Sequence, residues 1–327
     1  MRAVVLEQFG GPDVLRVRSV PDPVPGVGEV RVKVAATALN RADVLQREGR
    51  YPHPAPRPGE ILGLEFAGSV DAVGAGGTLW RPGDAVFGLI GAGGYGEMVV
   101  THERMLMPIP RGMSSAQAAA IPEVFFTAYD ALVERAHVRL GDVVLVHAGG
   151  SGVGTAATQL AKAMGARVFV TVGSEEKARQ ARELGADRAM NYHEEAFEDV
   201  VPAETEGRGA DVILDSVGAP YLMRNVKAAA VMGRIVLVGT LGGAHGEIDL
   251  TAFFGKRLTV VGTTLRARPL EQKIGLTQEF IAQALPLFSG GRLRPVISRV
   301  FPLDQIADAH RYMEENRNFG KIVIRIA

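Results

Sequence analysis

The chain has 327 residues, of which 47% are hydrophobic and 22% charged, so it is long enough for about two domains with substantial cores. Its 36 basic and 36 acidic residues cancel, which argues against nucleic acid as a partner. It has no cysteine, which excludes disulfides and thiolate-bound zinc. Its first residues lack a signal-peptide pattern, and no apolar run reaches the length of about 18 residues that spans a membrane. We therefore expect a cytoplasmic protein with no membrane partner.

The N-terminal third predicts a small, mostly antiparallel β domain. Apolar or alternating runs at residues 3–6, 14–20 and 29–36 are typical of strands with one solvated face. A helix is predicted over residues 36–49, with Asn40 as a natural N-cap and Asp43 three positions later. Glycine and proline then separate further short strands up to about residue 110.

Residues 141–177 predict a nucleotide-binding βαβ unit. An apolar run at 143–146 enters a glycine-rich turn, a helix follows over about 153–164, and a second buried strand covers 166–172. Glycines at 149, 150, 152 and 154 leave the backbone N–H groups and the positive end of the helix open to a pyrophosphate. Ser151 holds the middle glycine position of the usual motif, and a glycine-rich turn without a ligand is the alternative.

The alternation of strand and helix continues after this unit. Helices are predicted over 174–186 and 222–233, and strands over 188–192, 210–218, 234–243 and 258–265, which gives six parallel, right-handed wound strands. Ligands of such sheets lie at the carboxyl ends of the strands. The segment 295–327 reads as strand, helix and strand, and we expect it to return to the N-terminal domain, with the ligand in the cleft between domains.

The second strand of the βαβ unit points to the cofactor. Proteins that bind NAD place an Asp or Glu about 20 residues beyond the glycine turn to bind the ribose hydroxyl. Here that place holds Gly173 and Ser174, and Lys177 one helical turn later can pair with a phosphate. NADPH is favoured, although Glu175 or Glu176 could contact a ribose instead.

Over its whole length the chain resembles the medium-chain dehydrogenase/reductase superfamily, and is most similar to the zinc-independent quinone oxidoreductases of the zeta-crystallin type. The resemblance is carried by ALNRADVLQREGRYPHP, ILGLEFAGSV, the glycine-turn segment from 141 to 177, ILDSVG and GKIVIRI. It implies an α/β fold in which a doubly wound six-stranded parallel Rossmann sheet is inserted into a GroES-like, mostly antiparallel β catalytic domain. The expected catalytic domain covers residues 1–122 and 267–327, and the expected NADPH-binding domain covers 123–266.

Two departures from the zinc alcohol dehydrogenases of that superfamily predict that no metal is bound. Those enzymes have Cys-x-x-Asp where this chain has Asn40-Arg41-Ala42-Asp43, and Gly-His-Glu where it has Gly63-Leu64-Glu65. A catalytic zinc needs three protein ligands and an open position. The 7 histidines show no ligand spacing.

The resemblance also implies roles for individual residues. Gly173, Lys177 and Tyr192, with Ser174 beside them, would grip the 2′-phosphate, and the pyrophosphate would lie against Gly150, Ser151, Gly152 and Val153. The nicotinamide and substrate would meet Asn40, Tyr51 and Thr127. The crevice would be lined by Ser216, Val217, Val238, Gly239, Thr240, Leu241, Leu265 and Arg266, and closed by Phe319 and Lys321. The alternatives are a helix cap for Thr127, core for Phe319 and surface for Lys321.

These expectations combine into a hypothesis of hydride transfer from NADPH to a quinone, because reduced quinone oxygens hold charge without a strong proton donor. The first alternative is an NADPH-dependent enone or alkenal double-bond reductase, and the second is a low-turnover NADPH-binding or structural protein. The apolar strand at 258–265 would lie at the sheet edge, which predicts a homodimer through that strand.

Overall fold

The computed structural model describes residues 1–326, which form fifteen strands and eleven α-helices. The strands are β1 (Arg2–Leu6), β2 (Leu15–Ser19), β3 (Glu29–Leu39), β4 (Glu65–Val73), β5 (Ala85–Leu89), β6 (Met98–His102), β7 (Leu106–Pro108), β8 (Val143–Val146), β9 (Arg167–Val172), β10 (Arg188–Asn191), β11 (Ala210–Asp215), β12 (Ala229–Leu237), β13 (Thr259–Gly262), β14 (Ile297–Pro302) and β15 (Lys321–Arg325). The helices are α1 (Arg41–Arg47), α2 (Ser115–Ala119), α3 (Pro122–Tyr129), α4 (Gly152–Ala163), α5 (Glu175–Glu183), α6 (Phe197–Glu204), α7 (Ala219–Ala228), α8 (Leu250–Lys256), α9 (Leu270–Gln283), α10 (Leu285–Ser289) and α11 (Ile306–Glu314). Within the described residues, none of the helices combines the length and the apolar character that crossing a bilayer requires.

The first compact unit comprises Met1–Phe126 and the chain from Leu265 onwards. Its main sheet has the order β14-β15-β3-β4-β5-β7, and β6 also pairs with β3. All pairings in it are antiparallel except that of β14 with β15. Val30, Val32 and Val34 are buried on one face of β3, as their alternation predicts. The expected return of the C-terminal segment is confirmed, because β15 pairs antiparallel with β3.

The second compact unit comprises Thr127–Thr264 and holds a six-stranded sheet in the order β10-β9-β8-β11-β12-β13. Every pairing in it is parallel, so the carboxyl ends of all six strands lie along one edge. All four residues of β8 are buried, as expected for a central parallel strand. The predicted fold class, a wound parallel sheet within a mostly antiparallel β domain, is confirmed.

Three predicted elements of the second unit were wrong in their bounds. The helix expected to reach residue 233 ends at Ala228, and β12 begins at Ala229 rather than at residue 234. Ala229 pairs with Ala210 of β11, and this pairing overrides the helical preference of an alanine run. The sixth strand covers only Thr259–Gly262.

Two short helices, α6 and α8, were not predicted. Pro202 lies inside α6, and proline in a sequence normally signals a helix end. Helix α8 begins after Asp249, whose carboxylate accepts from the Thr251 N–H at 2.9 Å.

Candidate functional site

The glycine-rich turn after β8 packs too closely to hold side chains. A Cβ on Gly149 would lie 2.7 Å from Cβ of Val170, and one on Gly154 would lie 2.3 Å from the carbonyl oxygen of Ala148. Ser151 is the N-cap of α4, and its Oγ accepts from the Gly154 N–H at 2.9 Å. Of the predicted residues, Gly150 precedes the helix, Ser151 caps it, and Gly152 and Val153 begin its first turn, whose N–H groups and dipole suit a phosphate. The turn fits a dinucleotide.

The ends of β9 and β10 bring together the predicted 2′-phosphate residues. A Cβ on Gly173 would lie 2.6 Å from the Tyr192 hydroxyl oxygen, so glycine lets the phenol approach the backbone. Ser174 is the N-cap of α5 and accepts from the Lys177 N–H at 3.3 Å, which places Lys177 in the first turn of that helix. Tyr192, which is exposed, and the half-buried Lys177 thus follow the neighbouring strands β10 and β9.

The two carboxylates that could have bound a ribose are engaged within α5. Glu176 pairs with Arg179 at 2.7 Å, and Glu175 pairs with Arg182 at 2.5 Å. The hydrogen bond from Arg179 holds the pKa of Glu176 below its usual value. Both glutamates therefore pair with arginines of their own helix.

The loops after β11 and β12 are tied to each other. The Asp215 carboxylate accepts from the N–H groups of Val217 at 2.6 Å and Gly218 at 3.0 Å. The Leu241 N–H donates to the Ser216 carbonyl at 3.1 Å. Fourteen predicted residues lie at or just after the carboxyl ends of the parallel strands β8 to β12: Gly150, Ser151, Gly152, Val153, Gly173, Ser174, Lys177, Tyr192, Ser216, Val217, Val238, Gly239, Thr240 and Leu241.

The first unit contains a buried ion cluster that we call the Lys321 cluster, formed by Lys321, Glu65 and Asn40. The Lys321 ammonium donates to the Leu39 carbonyl at 3.0 Å, to Asn40 Oδ1 at 2.5 Å and to Glu65 Oε1 at 2.7 Å. Asn40 Nδ2 donates to the same Glu65 oxygen at 2.7 Å. The second Glu65 oxygen accepts from the Glu123 N–H at 2.8 Å. All three side chains are buried, so Lys321 is no surface residue and the Asn40 amide has one fixed orientation.

The Lys321 cluster does not fit a catalytic zinc. Asn40 holds the place of a cysteine ligand, yet its amide oxygen already accepts from an ammonium. Leu64 holds the place of the histidine ligand, and it is buried and apolar. Across residues 1–326, no group of three or more His, Cys, Asp or Glu side chains is arranged to hold a metal ion.

Glu65 is the functional residue that sequence reasoning left out of the site. The only local signal was its place in Gly63-Leu64-Glu65, where the relatives that bind zinc keep a glutamate. Its partner Lys321 lies 256 residues away, and a single sequence offers no means of pairing the two.

Asp43 forms part of the cap that was the alternative interpretation of this segment. Its Oδ2 accepts from the Asn40 N–H at 2.8 Å and from the Tyr95 hydroxyl at 3.1 Å. Burial raises the pKa of the Asp43 carboxyl to about 7. The Asn40 side chain contacts Glu65 and Lys321 instead of the helix backbone.

We expect Asp43→Asn to alter how stability depends on pH. The pKa of this carboxyl is 3.8 in the reference state and about 7 when folded, so folding takes up a proton between these values. Stability from this group therefore falls as pH rises from about 4 to 7, by at most about 1.4 kcal/mol per pH unit. An asparagine oxygen can accept the same two bonds without titrating. Urea unfolding across this range should show the variant gaining stability relative to the wild type, and parallel curves would contradict the assignment.

The remaining predicted residues belong neither to the fourteen at the strand ends nor to the Lys321 cluster. The Arg266 guanidinium donates to the carbonyls of Gly91 at 2.8 Å and Pro54 at 2.7 Å, and lies 5.2 Å from the centroid of the Tyr51 ring. Arg266 thus braces the segment that carries Tyr51. Leu265 and Phe319 are half-buried in the first unit, and Thr127 is half-buried inside α3 rather than capping it.

Comparison with known proteins gives two family models that match separate parts of the chain. The alcohol dehydrogenase GroES-like domain matches residues 26–111, and the zinc-binding dehydrogenase domain matches residues 152–284. A quinone oxidoreductase of Lama guanicoe is 33% identical to the chain, and the match covers 99% of this chain and 97% of that protein.

Three solved structures share the fold over the whole chain. An NAD-dependent alcohol dehydrogenase has 38% identity and a TM-score of 0.89, with 100% of both chains covered. A mycobacterial protein complexed with NADPH has 29% identity and a TM-score of 0.91, again with 100% of both covered. The CurK enoyl reductase has 29% identity and a TM-score of 0.90, covering 100% of this chain and 99% of its own.

Proposed function

Because this chain is an oxidoreductase of the zinc-independent quinone oxidoreductase branch of the medium-chain dehydrogenase/reductase superfamily, we propose that it reduces quinones with NADPH. The observation that carries the proposal is the carboxyl edge of the parallel sheet. There a glycine turn opens the first turn of α4, and Gly173 and Ser174 stand where NAD-binding proteins have a carboxylate, with Tyr192 beside Gly173 and Lys177 in the following helical turn.

In this proposal the second unit supplies the cofactor contacts. The first turn of α4 binds the pyrophosphate, and Gly173, Ser174, Lys177 and Tyr192 bind the 2′-phosphate. The loops after β11 and β12 line the nicotinamide end. Lys321 contributes by holding Asn40, because its donors are used inside the Lys321 cluster.

The bound cofactor supplies a hydride from C4 of its nicotinamide ring. The chain then has to orient the quinone and keep water away, and a strong general acid is not required. We propose that Asn40, Tyr51 and Thr127 make the polar contacts to substrate and nicotinamide. Asn40 is suited to this task because Lys321 and Glu65 fix its amide, so no reorganisation is needed when substrate binds.

The direct test is oxidation of NADPH by phenanthrenequinone under low oxygen, with NADH as the parallel cofactor. Saturable turnover that prefers NADPH supports the proposal. Turnover that prefers NADH supports the quinone assignment and contradicts the 2′-phosphate site. Tight NADPH binding without turnover of any acceptor would favour a low-turnover binding protein.

A second candidate is reduction of the double bond of an enone or alkenal. The likeness to an enoyl reductase over the whole chain favours it. The fold and hydride donor would be unchanged, and the hydride would be delivered to an alkene carbon. Reduction of trans-2-enals without reduction of quinones would select this candidate.

We expect Lys177→Ala to weaken NADPH binding by about tenfold and to leave NADH binding unchanged, because one charge-assisted contact to the 2′-phosphate is lost. Arg182→Ala on the same helix is the matched control, since Arg182 pairs with Glu175. Dissociation constants from nicotinamide fluorescence measure both. An equal loss for NADPH and NADH would show that Lys177 does not meet the 2′-phosphate.

We also propose a homodimer through β13. This strand pairs only with β12 and carries the partly exposed Val260 at the end of the sheet. Val260→Lys should turn a dimeric mass in light scattering into a monomeric one, because a charge would be buried at the paired edge. A monomeric wild type at micromolar concentration would refute the proposal.

A further inference from the structure

A buried hydrogen-bond chain crosses the second unit beneath its carboxyl edge. His147, the first residue after β8, contacts Thr171 Oγ1 through Nδ1 at 3.0 Å and Asn225 Oδ1 through Nε2 at 2.7 Å. Asn225 Nδ2 then donates to Asp215 Oδ2 at 2.8 Å. Thr171, His147, Asn225 and Asp215 are all buried. We call these four side chains the His147 chain.

The His147 chain has only one consistent proton arrangement. Because the Asn225 amide nitrogen must face the carboxylate of Asp215, its oxygen faces His147 and can only accept. His147 therefore donates from Nε2, and its Nδ1 accepts from the Thr171 hydroxyl. The direction of donation runs from Thr171 to Asp215 without a conflict.

Both ends of the chain reach backbone that forms the proposed cofactor site. At one end, the Thr171 carbonyl accepts from the Gly149 N–H of the glycine turn at 2.8 Å. At the other end, Oδ1 of Asp215, the oxygen that does not bind Asn225, accepts from the N–H groups of Val217 and Gly218. The glycine turn and the loop at residues 216–218 are thus fixed relative to each other by buried polar groups.

The surroundings of the chain keep His147 neutral. Burial lowers its pKa to about 4, with the Arg224 guanidinium acting in the same direction and the hydrogen bond to Asn225 opposing it. Arg224 pairs with Glu198 at 2.9 Å, and the rings of Phe197 and Tyr221 lie 4.6 and 4.8 Å from the imidazole. Among the charged groups that face the chain, Asp215 is the one that accepts its bonds directly. His147 therefore stays neutral through neutral pH, while burial raises the pKa of the Asp215 carboxyl above its usual value.

We propose that His147 and Asn225 are positioning residues for the cofactor, which through Asp215 hold the loop at residues 216–218 in its binding conformation. The inference rests on the proposed function, since it takes this edge as the nicotinamide cofactor site. Neither residue has to touch the cofactor, and the loss of either should act on binding through the loop.

The informative variant is Asn225→Asp, which changes the amide nitrogen to an oxygen without changing shape. Two carboxylates would then face each other at the distance of a hydrogen bond, and they cannot both stay ionised there. At pH 8 repulsion should displace the loop and weaken NADPH binding at least about tenfold relative to the wild type. At pH 6 a proton shared by the pair should restore the bond and most of the affinity.

Thr205→Val is the matched control. Thr205 is buried and bonds to the Gly209 N–H at 2.8 Å and the Val201 carbonyl at 2.7 Å, at the amino end of β11 away from the loop. The Thr205→Val variant should be less stable than the wild type and should bind NADPH with wild-type affinity at both pH values. An Asn225→Asp variant with wild-type affinity at pH 8, or with the same loss at pH 6 and pH 8, would overturn the proposal.

Hydrogen exchange at residues 216–218 separates this inference from the proposed function. At pH 8 the amide hydrogens of these residues should exchange faster in Asn225→Asp than in the wild type at the same pH, whether or not NADPH binds. If the wild type fails to bind NADPH, the proposed function is wrong. If hydrogen exchange in the variant is unchanged, this inference is wrong. Should Asn225→Asp fail to fold, His147→Phe, suited to its aromatic surroundings, should also speed exchange there, and wild-type exchange would refute the proposal.

Discussion

Gly154→Ala reduces the affinity for NADPH by about a hundredfold or more. The added methyl group would meet the carbonyl oxygen of Ala148 at 2.3 Å and Cα of Gly149 at 2.7 Å. These are backbone atoms and cannot rotate away, so the turn itself has to move. We expect a loss of stability of about 1–3 kcal/mol as well, typical of overpacking. Nicotinamide fluorescence and urea unfolding measure the two effects.

Gly255→Ala is the control for this variant. Gly255 also lies in a helix of the second unit, and a Cβ there would have no neighbouring atom within 4 Å. It should bind NADPH as the wild type does and gain up to about 1 kcal/mol from the lower entropy of the unfolded chain. Equal effects of the two substitutions would show that the close packing of the turn is unimportant.

Lys321→Met destabilises the first unit by about 3–5 kcal/mol, because it leaves the buried Glu65 carboxylate without its cation. The reduced turnover that follows should be larger than the change in KM for NADPH, since Asn40 loses the donor that fixes its amide oxygen. Urea unfolding and steady-state kinetics with quinone provide the two measurements.

The double variant Lys321→Met with Glu65→Gln identifies the cause. A glutamine carries no charge and keeps one of the two acceptor oxygens, for either the Glu123 N–H or Asn40 Nδ2. The double variant should be more stable than Lys321→Met alone, because the uncompensated charge is gone. A double variant as unstable as the sum of two single losses would assign the effect to packing.

The sequence predicted well those features that depend on local periodicity. The alternation of Val30, Val32 and Val34 identified the buried face of β3, and the uninterrupted apolar run of β8 identified a central parallel strand. Strand ends in a parallel sheet share an edge, so Gly173, Tyr192, Val217 and Thr240 could be assigned to one edge in advance.

Features that depend on distant partners could not be predicted in this way. The alanines at 228–230 look helical, yet Ala229 pairs with Ala210 and belongs to a strand. Lys321 reads as an ordinary lysine at a strand start, and only the fold shows that its ammonium lies against Glu65 and Asn40. The same holds for Asn225, whose bond to His147 spans 78 residues.

The pairing of β15 with β3 has a consequence for synthesis of the chain on the ribosome. The second unit is a continuous stretch, Thr127–Thr264, so all its strands emerge together and can pair as they appear. Strand β3 emerges long before β15, and its residues 36–39 have to wait for the whole second unit to be translated before β15 pairs with them. During that interval an unpaired strand edge of the nascent chain is exposed to other chains, which is the period in which a chaperone would matter most.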